Sequence, residues 1–216
     1  AVAAEMVTIL YNRHIETSDS KNLITSCCPS VNMMINKFYP ELSEYLMPID
    51  SPMILHSKHL KMKHGKDAFV VFLGPCISKK CEATGYQRGG VIDAVISFEE
   101  LDSLLRELNI DIDSCEPRKP EIRAGRLGSK YPGEGGILPG IQEAAIKRGL
   151  TPIKVDGALD CMSLFDSLKG NDIEGTCIEA NICTGGCLGG PAIPRDTGNI
   201  FKRKIRANHV LSQIDF

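Results

Sequence analysis

The sequence predicts an α/β protein, with mainly parallel sheets flanked by helices and two lobes arranged around a buried cluster site. Three observations lead there. Short β-branched or apolar runs alternate with helical periodicity, as in parallel strands joined by crossover helices. The run Ala68-Phe69-Val70-Val71-Phe72-Leu73 is continuously apolar, which reads as a parallel strand covered on both faces. Three cysteine motifs each close a strand-like run, bringing thiols to the carboxyl ends of neighbouring strands, where open α/β sheets hold their chemistry.

The elements follow in order. Residues 1–11 read at helical spacing with no capping residue ahead of them, so the chain is expected to begin inside a larger domain. Residues 22–26 read as a short strand, and Pro29 then opens a helix through Met33, Met34 and Phe38. A helix is expected over 51–63, and the apolar strand at 68–73 ends at Gly74-Pro75. Residues 91–97 repeat the strand pattern, followed by an amphipathic helix with Leu101, Leu104, Leu105 and Leu108 on one face. From 111 to 140, glycines and prolines deny the chain regular structure, and a connection of that length serves a site or joins lobes. A helix near 141–148, a strand at 151–155, a helix at 159–168 and a strand at 176–182 complete the pattern.

Composition narrows the function. The 216 residues are 43% hydrophobic, enough for one large domain or two joined lobes. Lys and Arg number 25 against 27 Asp and Glu, a formal charge of -2, so no field draws the chain to nucleic acid or to an anionic membrane. The longest apolar run is too short to span a bilayer and no basic-then-apolar leader opens the chain, so a cytoplasmic location is expected. Nine cysteines, an odd number in a chain without secretory features, favour metal ligation or thiol chemistry over a disulfide framework.

The motifs are Thr25-Ser26-Cys27-Cys28-Pro29, Gly74-Pro75-Cys76-Ile77-Ser78-Lys79-Lys80 and Cys183-Thr184-Gly185-Gly186-Cys187-Leu188-Gly189-Gly190-Pro191. Adjacent cysteines in extended backbone point to opposite sides, so one of Cys27 and Cys28 would bind a metal group and the other would face a different compartment. Cys183 and Cys187 converge if their segment is tightly turned, and the glycines around them admit a bulky cofactor. One cysteine from the first motif, Cys76, Cys183 and Cys187 make four thiolates, the number a 4Fe–4S cubane needs.

A helix after Cys76 would put Lys79 and Lys80 over the same face, where a lysine could hold an anionic ligand; Lys79 is favoured for that role over a solvated surface pair. Cys81, Cys115, Cys161 and Cys177 share no spacing and read as core or surface thiols. His56 and His59 make at most a zinc half-site. A zinc-stabilised structural domain or a thiol oxidoreductase would be marked by C-x-x-C, which does not occur.

These motifs resemble the catalytic, cluster-binding domain of iron-only (FeFe) hydrogenases, whose signatures read roughly TSCCPxW, MPCxxKKxE and CPGGCxxGG. The chain offers TSCCPSV from Thr25, GPCISKKCE from Gly74 and CTGGCLGGP from Cys183, with Tyr39-Pro40-Glu41-Leu42 and Ser51-Pro52 extending the likeness between them. The resemblance implies one H-cluster domain over 1–216 lacking its N-terminal part, with a lobe junction within 111–140.

The resemblance also implies that Cys28, Cys76, Cys183 and Cys187 hold a 4Fe–4S cluster and that Cys187 bridges to a diiron unit with carbonyl, cyanide and dithiolate ligands. Cys27 would relay protons and Lys79 would contact a cyanide. The implied substrates are H2 and protons, the electron partner a ferredoxin-like domain or protein, and a homodimer an expected assembly. Val31 in place of Trp, Gly74 in place of Met, Asn181 in place of Met and Met47 in place of Ser resemble the sensory branch, whose members turn over slowly. The competing expectation is a non-catalytic, 4Fe–4S-binding relative of the iron–sulfur assembly type.

Overall fold

A computed structural model describes residues 2–85, 90–118 and 125–213. Two parallel sheets organise the chain. The larger has strand order β1 (Asn22–Ile24), β5 (Thr176–Asn181), β4 (Thr151–Asp156), and the smaller pairs β2 (Val71–Gly74) with β3 (Ala94–Ser97). In the larger sheet Leu23 lies opposite Cys177 and Ile153 opposite Ile178.

Side-chain alternation along these strands splits the core in two. Leu23 and Cys177 turn toward α1 (Val2–Thr17) and α6 (Leu138–Lys147), joining Val7, Tyr11, Ile15, Ile141 and Ala145. Ile24, Ile178 and Ala180 turn the other way, toward α2 (Pro29–Phe38) and α7 (Ala158–Lys169), against Val31, Ile35, Cys161 and Phe165. Burying a side chain such as Phe165 or Ile178 stabilises by about 1.5–3 kcal/mol.

Helix starts are set by local chemistry. Pro29 occupies the first turn of α2. The Ser51 hydroxyl accepts from the Ile54 N–H at the start of α3 (Pro52–His64). Ser97 and Glu100 form a reciprocal capping box for α5 (Phe98–Glu107). Helix α6 begins earlier than its apolar periodicity suggests because Pro139 suits a first turn. Two elements were not expected: the turn of 3-10 helix Pro40–Tyr45, and α8 (Ile200–Ser212), capped by the Asn199 side chain on the Lys202 N–H. Among the described residues, the connection at 111–140 is irregular apart from short 3-10 turns and the start of α6. The lobe junction expected there falls partly on residues 119–124, which lie outside the described residues.

The expectation for residues 68–73 is corrected. The strand is shorter, Val71–Gly74, and only one face is covered. Phe72 turns inward with Val95 and Ile92 against Met53 and Ile54 of α3 and Ala83 of α4 (Ser78–Thr84). Phe69, Val71 and Leu73 are 75%, 46% and 42% exposed. Among the described residues β2 pairs only with β3, and these three side chains are left open to solvent. The leucine stripe of α5 is also thinly covered, since Leu104 and Leu108 are exposed. Among the described residues no helix is long and apolar enough to cross a membrane.

Candidate metal-cluster site

The three cysteine motifs leave the carboxyl ends of β1, β2 and β5 and are tied to one another by specific contacts. The Thr25 N–H donates to the Ile178 carbonyl at 2.9 Å, carrying β1 alongside β5 up to the first motif. Cys28 has extended backbone as the N-cap of α2, and the two neighbouring thiols part as expected. Cys27 packs on the Tyr11 core and Cys28 on the Val31 core.

The first motif meets the second where Ser30 Oγ and Ser78 Oγ lie 2.6 Å apart and where Lys79 Nζ donates to the Cys27 carbonyl at 3.3 Å. The second meets the third where the Ala192 N–H donates to the Pro75 carbonyl at 3.3 Å. A Cβ on Gly190 would stand 2.6 Å from that same Pro75 oxygen, so the close approach of the two loops needs glycine.

The third motif forms a tight turn. The Gly186 N–H donates to the Cys183 carbonyl at 3.0 Å, and the Gly190 N–H to that of Cys187 at 2.9 Å. Asp156 at the end of β4 accepts from the Gly185 N–H at 2.6 Å, and the Leu188 N–H donates to the Pro132 carbonyl at 3.1 Å. Gly185 adopts left-handed backbone at φ 86, which a side chain would disfavour. Helix α8 closes over this turn, with Arg203 donating to the Leu188 carbonyl and Lys204 paired to Glu134.

The thiols feel one another. Burial pushes Cys187 up to about 12, and the neighbouring Cys28 and Cys76 add to the rise. Cys183 is raised by burial and then by the same two residues. Cys28 and Cys76 thus lie near enough to both Cys183 and Cys187 for their charge to be felt there. Among the described residues, no three Cys, His, Asp or Glu side chains are arranged to hold a single metal ion. Four neighbouring thiols with no C-x-x-C spacing suit a cubane better than a zinc knuckle.

Cys27 stands beside this group, its thiol pushed up to about 12 by burial, with the Tyr11 hydroxyl and Lys79 acting in the opposite sense. Lys79 is 9% exposed, which overturns the solvated reading for that lysine. Its ammonium sits 2.6 Å from the Glu82 carboxylate, one turn along α4. Lys80 points to the surface, where it pairs with Glu100.

The other thiols fall where expected: Cys81 and Cys115 are exposed, and Cys161 and Cys177 are buried in the two cores. The His56 and His59 rings stack at 6.4 Å. Sequence reasoning missed Tyr11, Glu82 and Asp156 as partners of the site. Glu82 is visible in GPCISKKCE, one turn after Lys79, and Tyr11 is the polar-tipped residue on the buried face of α1.

Comparison with known proteins matches residues 1–191 to the family described as the C-terminal domain of the iron only hydrogenase large subunit. Iron hydrogenase 1 of Clostridium pasteurianum is 28% identical over 261 residues, covering 97% of this chain and 45% of that protein. The cytosolic Fe–S cluster assembly factor NAR1 of Saccharomyces cerevisiae is 30% identical over 104 residues, covering 45% of this chain and 21% of that protein. The chain spans about half the length of the hydrogenase relatives it matches. Among solved structures, an apo FeFe-hydrogenase from Chlamydomonas reinhardtii superposes with a TM-score of 0.73 at 17% identity, covering 95% of this chain and 72% of that one. That likeness concerns the fold.

Proposed function

The chain belongs to the iron-only hydrogenase family, matching the C-terminal domain of its large subunit, and from that premise we propose that it binds a 4Fe–4S cluster linked to a diiron unit and serves slow, reversible H2 oxidation and proton reduction or H2 sensing. The observation that supports this reading is that three motifs at three strand ends bring Cys28, Cys76, Cys183 and Cys187 near enough to act on one another electrostatically.

Cys28, Cys76, Cys183 and Cys187 would hold the cubane, and Cys187 would also help hold the diiron unit. The diiron unit, with its carbonyl, cyanide and dithiolate ligands, supplies the redox chemistry of H2 when bound. The chain supplies ligands, orientation, a fixed charge and a proton carrier. With Cys27 and Cys187 pushed up to about 12, these thiols keep their protons at neutral pH, so cluster binding displaces a proton from Cys187. Lys79, anchored by Glu82 and the Cys27 carbonyl, presents its remaining N–H to an anionic ligand such as cyanide. Cys27, outside the ligand set, holds a transferable proton on its sulfur. The two apolar cores behind Cys27 and Cys28 keep water away.

Electrons come from a ferredoxin-like carrier, in an anaerobic, cytoplasmic setting, and the open outer face of the small sheet supports self-association as a homodimer. The match to the assembly factor supports a second reading, a domain that keeps only the cubane. The buried Lys79–Glu82 pair beside Cys27 favours the first, since a cubane alone needs neither Lys79 nor Cys27.

The test is anaerobic iron–sulfide reconstitution followed by loading with a synthetic diiron cofactor. Carbonyl and cyanide infrared bands with weak H2 turnover, sharply reduced in Cys27→Ala, are expected. A cubane-bearing protein that takes up no diiron unit leaves the assembly-type reading in its place.

A further inference from the structure

Tyr11 is fully buried on the face of α1 turned toward the sheet. Its hydroxyl meets three groups of the first cysteine motif. The Ser26 backbone N–H donates to it at 2.8 Å, Ser26 Oγ lies at 3.2 Å and Cys27 Sγ at 3.2 Å. The hydrogens can be assigned by counting. Ser26 Oγ gives its own hydrogen to the Ile49 carbonyl at 2.7 Å, so toward Tyr11 it only accepts. The phenol has one hydrogen and two acceptor positions. One position takes the Ser26 N–H, the hydrogen goes to Ser26 Oγ, a better acceptor than sulfur, and the second position is left for the Cys27 S–H.

We infer that Tyr11 is the positioning residue of the Cys27 thiol, and that the circuit it closes through Ser26 to the Ile49 carbonyl holds the thiol hydrogen toward α1 until the side chain turns. Val7, Met47, Ile49 and Ile137 pack in the same core, where the neighbouring hydroxyls are those of Tyr131, near enough to feel the charge of Cys27, and of Thr8, 2.7 Å from it. The circuit ends on a backbone carbonyl inside this core. When the thiol rotates its hydrogen away from α1, the Tyr11 hydroxyl can swing from Ser26 Oγ to the sulfur, so the sulfur keeps a hydrogen bond in both arrangements. The proton-relaying role of Cys27 rests on the proposed function. Tyr11 gives that role two defined states, one holding the hydrogen and one presenting it.

The test reads the S–H stretching band of Cys27 in the metal-free protein, identified as the infrared band missing in Cys27→Ala. Tyr11→Phe removes the acceptor and is expected to move the band to higher wavenumber. Ser26→Ala takes away the oxygen that receives the Tyr11 hydrogen, turning the hydroxyl onto the sulfur and freeing the S–H, so the band moves the same way. Circular dichroism identifies which variants fold, and either folded variant decides the matter. A band unmoved in a folded variant overturns the inference. In the cofactor-loaded protein, Tyr11→Phe is expected to lower turnover while the carbonyl and cyanide bands stay in place. Because the S–H band is read without metal, a protein that never accepts the cofactor removes the proposed function and leaves this inference standing, whereas an unshifted band removes this inference alone.

Discussion

Lys79 and Glu82 form an ion pair at 2.6 Å, one turn apart on α4, with side chains 11% and 6% exposed. A pair this deeply enclosed lends little net stability, but removing one partner strands a buried charge. Glu82→Gln should therefore destabilise the metal-free protein by about 3–5 kcal/mol in urea unfolding. The double change Lys79→Met with Glu82→Leu should recover most of that loss while still impairing cofactor uptake. Equal instability in the single and double variants would show that the charge is not the cause.

Glu179 gives a pH-dependent prediction. It is fully buried on β5, and its Oε2 accepts from the Ile137 and Leu138 N–H groups at 3.0 and 2.7 Å, at the start of α6. Burial nevertheless raises its carboxyl above the usual 4.5. The folded state thus binds this proton more tightly than the unfolded chain does. Its stabilising contribution is complete below about pH 4.5 and is lost as pH climbs through the raised value. Glu179→Gln keeps an oxygen for the two N–H groups and removes the titration. The wild-type urea midpoint should fall relative to that of the variant as pH rises above about 4.5; parallel profiles would contradict this.

Gly190 tests whether the loops must touch. An alanine Cβ would press on the Pro75 oxygen at 2.6 Å and the Cys187 oxygen at 2.9 Å, separating the turns that carry Cys76 and Cys187. Gly190→Ala should lower the iron and sulfide retained per chain after reconstitution. Gly85→Ala, whose Cβ among the described residues would meet the Glu82 and Cys81 carbonyls at 3.4 and 3.7 Å, should not. Equal cluster content in the two variants would count against the close approach.

The open face of the small sheet predicts surface behaviour. Phe69, just before β2, and Val71 and Leu73 on it are exposed apolar side chains, and among the described residues β2 pairs on one side. Val71→Thr with Leu73→Thr should reduce both the binding of an apolar dye and the light scattering of the chain, without lowering its unfolding midpoint. Unchanged scattering would show that this face is not where copies meet.

Much of the fold could be read from the residues because local signals agreed with it. Pro29, Ser51 and Ser97 open helices where their chemistry says they should, and the alternation of strands and helices yields parallel sheets. The opposite facing of Cys27 and Cys28 follows from extended backbone alone. Other features were hidden for physical reasons. In a continuous apolar run such as 68–73, period two leaves no trace, so the half-exposed strand was indistinguishable from a buried one. Helix α8 buries no residue fully and is polar on average, with Lys202, Arg203, Lys204 and Arg206 in its first half, so no buried apolar stripe marks it. The partnership of Tyr11 with Cys27 joins residues on separate elements, and no spacing rule announces it.

The proposed ligands of the iron–sulfur cluster are Cys28, Cys76, Cys183 and Cys187. The most direct measurement is electron paramagnetic resonance of the anaerobically reconstituted and reduced protein, alone and as Cys76→Ser. A brown protein with a spin-one-half signal that disappears in Cys76→Ser is the predicted result. A protein that takes up only zinc and never shows the signal would contradict it.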